Sequence, residues 1–530
     1  MSKKDCTSRL VWYTLAVVVA MVGIGLVPEF ELFGMRFAKV DIFSELRAAD
    51  GDVVEYQADI ERLEQELAAL TTPDTLVVAD SLPPTPPVRY EWIVSEAQQG
   101  ESRVRSSEEL RSIAERCSVA IEDFDTVDVT RFDRFVEKLA QGERVRIAFM
   151  GDSFVEGDIL TSDLREELQS VFGGRGVGFV ACDIPFATVR KTVKRTSSGW
   201  SAYSVMKPKS APQDVGDKFF VSGYLAKGGV GASTRWQTTD VFEHLDSSSR
   251  ARVLLYSRDT SRLQLTLNDS IVNEIEVAGY DHMREIYVEA EEVDNIAVRV
   301  VEGEVLCYGV TIESGEGVTV DNFSVRSNNG HAIFGTGAAI NREIDEILGY
   351  DLVVLQYGLN IMQKGQRGYS NYRKQLCDMI AYAERCFPRA AILVLGVSDR
   401  WVKNEESGRF EPIGSVDALT SYQRAAADST NVSFWNTSRA MAEMGGMPKF
   451  VADGWAAKDY THINFQGGRR IAQQLAYAII EPVCALLERC EAEAEEAKRR
   501  ATIVMPEEPT SLRTFDLSVG GVAPYVEDYK

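Results

Sequence analysis

The hydrophobic pattern changes period three times along the chain. Residues 46–70 carry Leu46, Ala49, Val53, Tyr56, Ile60, Leu63, Leu67 and Leu70 in alternating steps of three and four. This spacing predicts a helix with one apolar seam, over 53–70 above all, because Gly51-Asp52 weakens its start. Two readings fit: a dimerising coiled-coil stalk over 43–71, or an amphipathic helix packed on its own chain. LPPTPPV at 82–88 then predicts a stiff linker, placed at 72–89.

Beyond residue 90 continuous apolar runs alternate with amphipathic stretches. RIAFM (146–150), DLVVLQYG (351–358), AAILVLGVSD (390–399) and NVSFWN (431–436) read as strands buried on both faces. Helical patterns lie at 107–117, 130–141, 161–172 and 372–386. Such alternation predicts an α/β fold, a parallel sheet covered by helices on both sides. Over 212–317 the period drops to two: RLQLTLN, SIVNEIEVAG, REIYVEA and NIAVRVVEG alternate between turn residues. That is the pattern of an antiparallel β-sandwich inserted between two α/β parts, 90–211 and 318–485. A charged helix and a mobile tail are expected over 486–530.

The N-terminus adds an uncharged apolar run at 10–27, long enough to cross a bilayer, after Lys3, Lys4 and Arg9. It predicts a single-pass anchor in the cytoplasmic membrane, with residues 1–9 inside and the bulk outside, in the periplasm. A cleaved signal peptide is the competing reading. The net charge of −23 argues against a nucleic-acid partner. The eight cysteines show no metal-like spacing, so no metal or cofactor is expected. Cys377/Cys386 and Cys484/Cys490 are close enough in sequence to suggest bridges, which spacing alone does not establish.

Candidate chemistry begins at Gly151-Asp152-Ser153, where a buried strand gives way to a polar turn. Carboxyl ends of parallel strands are where ligands collect, so Ser153 is either a nucleophile or a helix cap. A serine nucleophile needs a base and donors for the oxyanion. Asp459-x-x-His462 offers the base, because a carboxylate three residues back can fix the imidazole tautomer. Gly358-x-Asn360 offers a side-chain amide beyond a strand. Gly330, in RSNNGHAIFG, offers a backbone N–H that a ligand can approach closely.

The order Gly151-Asp152-Ser153, Gly330, Asn360, Asp459-x-x-His462 resembles that of the SGNH (GDSL-type) serine hydrolase superfamily. The opening block GDSFVEGDILTSDLREELQSVFGGRGVGFV, the SSGW at 197–200 and the QYGLN block look most like bacterial peptidoglycan O-acetylesterases. In these a carbohydrate-binding-module-like β-sandwich is inserted between the serine and glycine blocks. The resemblance covers roughly residues 145–478. It implies a three-layer α/β/α fold, Ser153 as nucleophile, His462 as base and Asp459 as its orienter. Ser153, Gly330 and Asn360 would form the oxyanion hole, and the partner would be an acetylated envelope polysaccharide. The activity implied is carbohydrate O-acetyl ester hydrolysis. O-acetyl transfer by the same triad and a non-catalytic glycan-binding scaffold are the alternatives. Phe154 departs from the family, which usually has His directly after the serine.

Overall fold

The structure, a computed structural model, describes residues 30–32, 35–37, 88–97, 103–185 and 190–504. The apolar run 10–27, the heptad stretch 43–71, most of the linker and the tail beyond 504 lie outside the described residues. Five strands form the central sheet: β1 (Val145–Gly151), β2 (Val318–Ser324), β3 (Leu352–Gln356), β4 (Ala391–Leu395) and β5 (Ser433–Trp435). Their order is β2-β1-β3-β4-β5, and every pair is parallel. Because β2 and β3 flank β1 on opposite sides, the chain reverses direction across the sheet at β1. The crevice at that switch point is where open α/β sheets place their ligands.

The continuous apolar runs follow from burial on both faces. Ile147 and Phe149 of β1 join one core, whereas Ala148 and Met150 join the other. Helices α1 (Arg131–Gln141), α2 (Thr161–Phe172) and α6 (Phe465–Val504) cover the first face. Helices α3 (Ala338–Leu348) and α4 (Ser370–Cys386) cover the second, and α5 (Val416–Ser429) packs at the far edge and contributes to both cores. Helix α1 shows why these segments are helical. Thr130 and Asp133 cap each other's backbone N–H groups, and Gly142 ends the helix at φ 69°.

Among the described residues, one helix is long and apolar enough to span a membrane. It is α6, and half of its most apolar stretch is buried in the protein against α2 and its neighbours. That burial is what a core helix requires. Helix α4 also holds Cys377 and Cys386 nine residues apart, and α6 holds Cys484 and Cys490 six apart. A helix rises about 1.5 Å per residue, so about 13 Å and 9 Å separate these pairs along the axis. A disulfide needs its Cα atoms within about 7 Å, so the bridges suggested by sequence spacing do not form.

The second sheet has ten strands, antiparallel except at one edge. Its main path runs from Ile271–Val277 to Val88–Ile93, with Gly178–Ala181 and Val193–Ser204 pairing beside it. Leu263, Leu265 and Leu267 from one half share a core with Val253, Ile286 and Val288 from the other, so the sheet folds over on itself as a sandwich. It reaches beyond the 212–317 expected from sequence. Strands Gly178–Ala181 and Val193–Ser204 precede that range, and Val88–Ile93 pairs parallel with Met283–Val293.

Buried charge fastens the two sheets together. Arg146, on β1, is fully buried, and its Nε lies 2.7 Å from Asp321 on β2. The same guanidinium pairs with Glu313 of the second sheet, which also meets Arg252 at 3.3 Å. Tyr350 Oη and the Phe179 N–H both donate to Asp321, at 2.8 and 2.7 Å. Burial alone would raise the Glu313 pKa, yet Arg146, Arg252 and Arg144 hold it well below the carboxylate range. Arg146→Met should therefore cost at least about 3 kcal/mol, since it strands two buried carboxylates. Urea unfolding at neutral pH measures this, and a loss under 1 kcal/mol would mean the cluster is not a fastening.

Candidate active site

Strand β1 ends at Gly151, where a side chain has no room. An added Cβ would lie 2.4 Å from Val155 Cγ2 and 3.0 Å from Gln356 Oε1. The chain then turns, and fully buried Asp152 holds the turn. Its Oδ1 accepts the Phe154 N–H at 2.9 Å, and its Oδ2 accepts from Asn360 Nδ2 at 3.2 Å. Phe154 and Val155 fall into the core, while Ser153 between these contacts stays partly exposed. The Phe154 departure is therefore a packing choice: the side chain is 1% exposed and faces away from solvent.

The turn continues through Asp158, a left-handed residue at φ 67° and fully buried. Its carboxylate accepts from Thr161 Oγ1 (2.7 Å), Arg190 Nε (3.0 Å), Thr192 Oγ1 (3.0 Å) and Arg165 Nη1 (3.2 Å). Burial would raise its pKa, but Arg165 and Arg190 pull it far below the usual range. Arg190 and Thr192 lead into the strand Val193–Ser204, so this carboxylate ties the serine loop to the second sheet.

Gly330 and Asn360 reach the same crevice from β2 and β3. Gly330 adopts φ +96°, and an added Cβ would lie 2.2 Å from Met379 Cε, so glycine is required for conformation and space. Its N–H donates to Asn328 Oδ1 at 2.8 Å. Asn360 Nδ2 donates to the Asn328 carbonyl at 3.0 Å as well as to Asp152. Asn328 thus links the glycine and asparagine blocks. Glu156 and Arg326, 2.8 Å apart, link the serine and glycine loops.

His462 arrives just before α6. Its Nδ1 lies 2.7 Å from Asp459 Oδ2, and Asp459 Oδ1 accepts the backbone N–H groups of Thr461 and His462 at 2.9 and 3.0 Å. This fixes a tautomer in which Nδ1 carries the proton and Nε2 is a free base. The side chain is 54% exposed. Helix α6 seats against the serine loop, since a Cβ on Gly468 would lie 1.9 Å from the Ile159 carbonyl oxygen. The His462 ring and the Asp152 carboxylate are close enough to perturb each other's protonation. Among the described residues no hydrogen bond joins Ser153 Oγ to the ring.

Burial pushes the Asp152 carboxyl up to about 7, although the Phe154 N–H and His462 pull it back. The Asp459 hydrogen bond raises His462 above its ordinary value; burial opposes this, and the charges of Asp459 and Asp152 add to it. Burial would raise Asp459, yet its bonds from the His462 ring and backbone keep it low. Sequence reasoning passed over Asp152, Asn328 and Arg400. Arg400 had a signal: Asp399-Arg400 follows the carboxyl end of β4. A separate cavity of about 890 Å³, lined by Gln169, Gly173, Arg175, His244 and Asn268, lies at the far end of α2 from Ser153. The two sites are distinct.

No family model matches the chain, and no curated protein matches it. Among solved structures it is similar to a peptidoglycan O-acetylesterase, with 23% identity and a TM-score of 0.56 over 69% of this chain and 99% of that one. This likeness shows a shared fold over nearly the whole of that protein. A family two carbohydrate esterase from Cellvibrio japonicus matches at 9% identity and TM-score 0.17, over 45% of this chain and 86% of that one. A lipase/acylhydrolase from Enterococcus faecalis matches at 17% and 0.23, over 32% and 77%. Neither of these two adds weight.

With four histidines in the chain, the His462 ring is assignable by NMR. It should titrate above the ordinary 6.5, and Asp459→Asn should bring it down. An unchanged titration in that variant would mean the carboxylate does not govern the ring.

Proposed function

We propose that the chain is a serine esterase that removes O-acetyl groups from an envelope glycan, with peptidoglycan as the foremost substrate. One observation carries the reading. An Asp-bound imidazole with its second nitrogen free directly precedes a helix seated against the loop of Ser153, at the switch point of a parallel sheet. The fold shared with a peptidoglycan O-acetylesterase supports the choice of substrate.

In the proposed mechanism His462 Nε2 takes the Ser153 proton as Oγ attacks the acetyl carbonyl. The Ser153 and Gly330 N–H groups and the Asn360 amide turn to the oxyanion, the latter two giving up Asn328 as acceptor. A negative oxygen is the stronger acceptor, which makes the exchange favourable in the transition state. His462 returns the proton to the sugar oxygen, which leaves as the alcohol. Water, deprotonated by His462, then attacks the acetyl-serine, and His462 passes that proton to the leaving Ser153 Oγ as acetate is released. Asp459 holds the tautomer and stabilises the imidazolium.

The second sheet, fastened through Asp158 to the serine loop, stands beside the crevice where a polymer would lie, and we assign it the glycan chain as partner. Residues 10–27 would hold the enzyme in the cytoplasmic membrane with the catalytic part outside, and 43–71 would pair two copies.

Ser153→Ala should abolish acetate release from O-acetylated peptidoglycan and labelling by a fluorophosphonate, with an unchanged circular dichroism spectrum. Release equal to wild type would sink the serine mechanism. Asn360→Ala should lower kcat about a hundredfold, with a smaller change in KM, the signature of an oxyanion donor. A change confined to KM would place Asn360 in ground-state binding instead.

A further inference from the structure

Two buried thiols outside the proposed mechanism meet across a strand pair of the sandwich. Cys182 directly follows the strand Gly178–Ala181, and Cys307 lies within Val305–Glu313. These strands pair antiparallel, with Ala181 opposite Gly309 and Val180 opposite Val310. The ladder runs one step further, since the Cys182 N–H donates to the Tyr308 carbonyl at 3.0 Å. Regular alternation would then set the Cys182 and Tyr308 side chains on one face. A bulge between Cys307 and Gly309, seen in the pairing with Ser248–Tyr256, breaks the alternation. Across it Val305, Cys307, Val310 and Ile312 share the sandwich core, and Tyr308 turns into the core beside the parallel sheet. Cys182 and Val180 face the sandwich core too, so the bulge gives Cys182 a cysteine as its neighbour on that face.

Both side chains are at most 1% exposed. The Cys182 thiol also meets Thr234 Oγ1 at 3.4 Å. Burial pushes that thiol well above its ordinary pKa, and contact with the Cys307 thiol adds to the rise. Cα atoms directly opposite in an antiparallel pair are about 4.5–5.5 Å apart, and those two steps off about 7–8 Å. Cys307 is one step off, so the pair falls within the roughly 4.4–6.8 Å that a disulfide bridges. The criterion that excludes the two helical cysteine pairs admits this one.

We propose that Cys182 and Cys307 form a structural disulfide, made while the sandwich folds and sealed once it closes. The two thiols lose two protons and two electrons as the S–S bond forms. The electrons reduce the disulfide of a thiol-exchange partner to two thiols, by way of a mixed disulfide. Neither thiol is exposed in the folded chain, so exchange precedes closure of the core, and afterwards no reductant reaches the bond. The cysteines stand 125 positions apart, and the crosslink closes a loop holding most of the sandwich. Long loops are where restricting the unfolded chain stabilises most. The bond also fixes the start of the segment that brings Arg190 to Asp158. The pairing stands apart from the esterase reading, and the extracytoplasmic placement proposed above supplies the oxidising surroundings.

The test reduces and unfolds the full chain, refolds it in detergent with reduced and oxidised glutathione, and alkylates it in denaturant. Trypsin leaves Cys182 as the one cysteine of residues 176–190 and Cys307 as the one cysteine of 300–326. These peptides should appear in the mass spectrum as one linked species that separates on reduction. Dithiothreitol should spare the link in the folded protein and break it in urea. The linked chain should melt about 5 °C above the reduced one. Cys307→Ala should leave Cys182 alkylated, and Cys182→Ala does the same service for Cys307 where the first variant fails to fold. Both peptides alkylated in wild type, either one linked elsewhere, a link broken without urea, or equal melting overturns the proposal. The same mapping on chain trapped from its own cells tests the placement separately. A link found after refolding and absent there overturns the extracytoplasmic placement, with the pairing upheld.

Discussion

Asp158 meets no solvent, and two arginines, two hydroxyls and an asparagine amide converge on its carboxylate. A buried anion is tolerable only when so completely paired, and each partner is thereby fixed in space. The partners come from α2, from β2 and from the start of the strand Val193–Ser204, so one carboxylate holds the serine loop, the parallel sheet and the antiparallel sheet in register. Asp321 does the same lower down, through Arg146, Tyr350 and the Phe179 N–H. Between these two anchors the crevice has little freedom. Asp152, also buried, can then act as a local hub that joins the serine turn to Asn360.

Charge is handled differently at the two depths. Asp158 and Glu313 face arginines and stay ionised, whereas Asp152 has no cationic partner within bonding distance and burial drives its carboxyl towards the neutral form. The same sequence element, a carboxylate just past or within a strand, thus serves as ionic fastening in one place and as a hydrogen-bonded strut in the other. The environment decides, which no short motif encodes.

The parallel sheet was legible because burial on both faces leaves unbroken apolar runs, as in 147–150 and 390–395. The antiparallel region showed in its period of two for the complementary reason. Its extent was not legible. Val88–Ile93 straddles the expected boundary between the proline linker and the globular part, and only its pairing with Met283–Val293, nearly two hundred residues away, makes it a strand. Gly330 was noticed for its missing side chain; that the same position also needs a left-handed turn and leaves room for Met379 was not legible. The cysteine pairs misled because nearness in sequence is distance along a helix. Ser153 and Asn360 stood out by residue type at strand ends, and Asp459 and His462 by their spacing of three just before a helix. Asp152, Asn328 and Arg400 matter through partners that are remote in the chain.

The parallel strand Val88–Ile93 lies at the edge of the antiparallel sheet and is its first strand in the chain. A pull applied to the backbone just ahead of Val88 is delivered to this ladder. Its interstrand bonds lie across the direction of pull, so they resist together in shear instead of opening one after another. Mechanical load would thus be absorbed at the rim of the sandwich, and the crevice carrying the serine would keep its shape under tension.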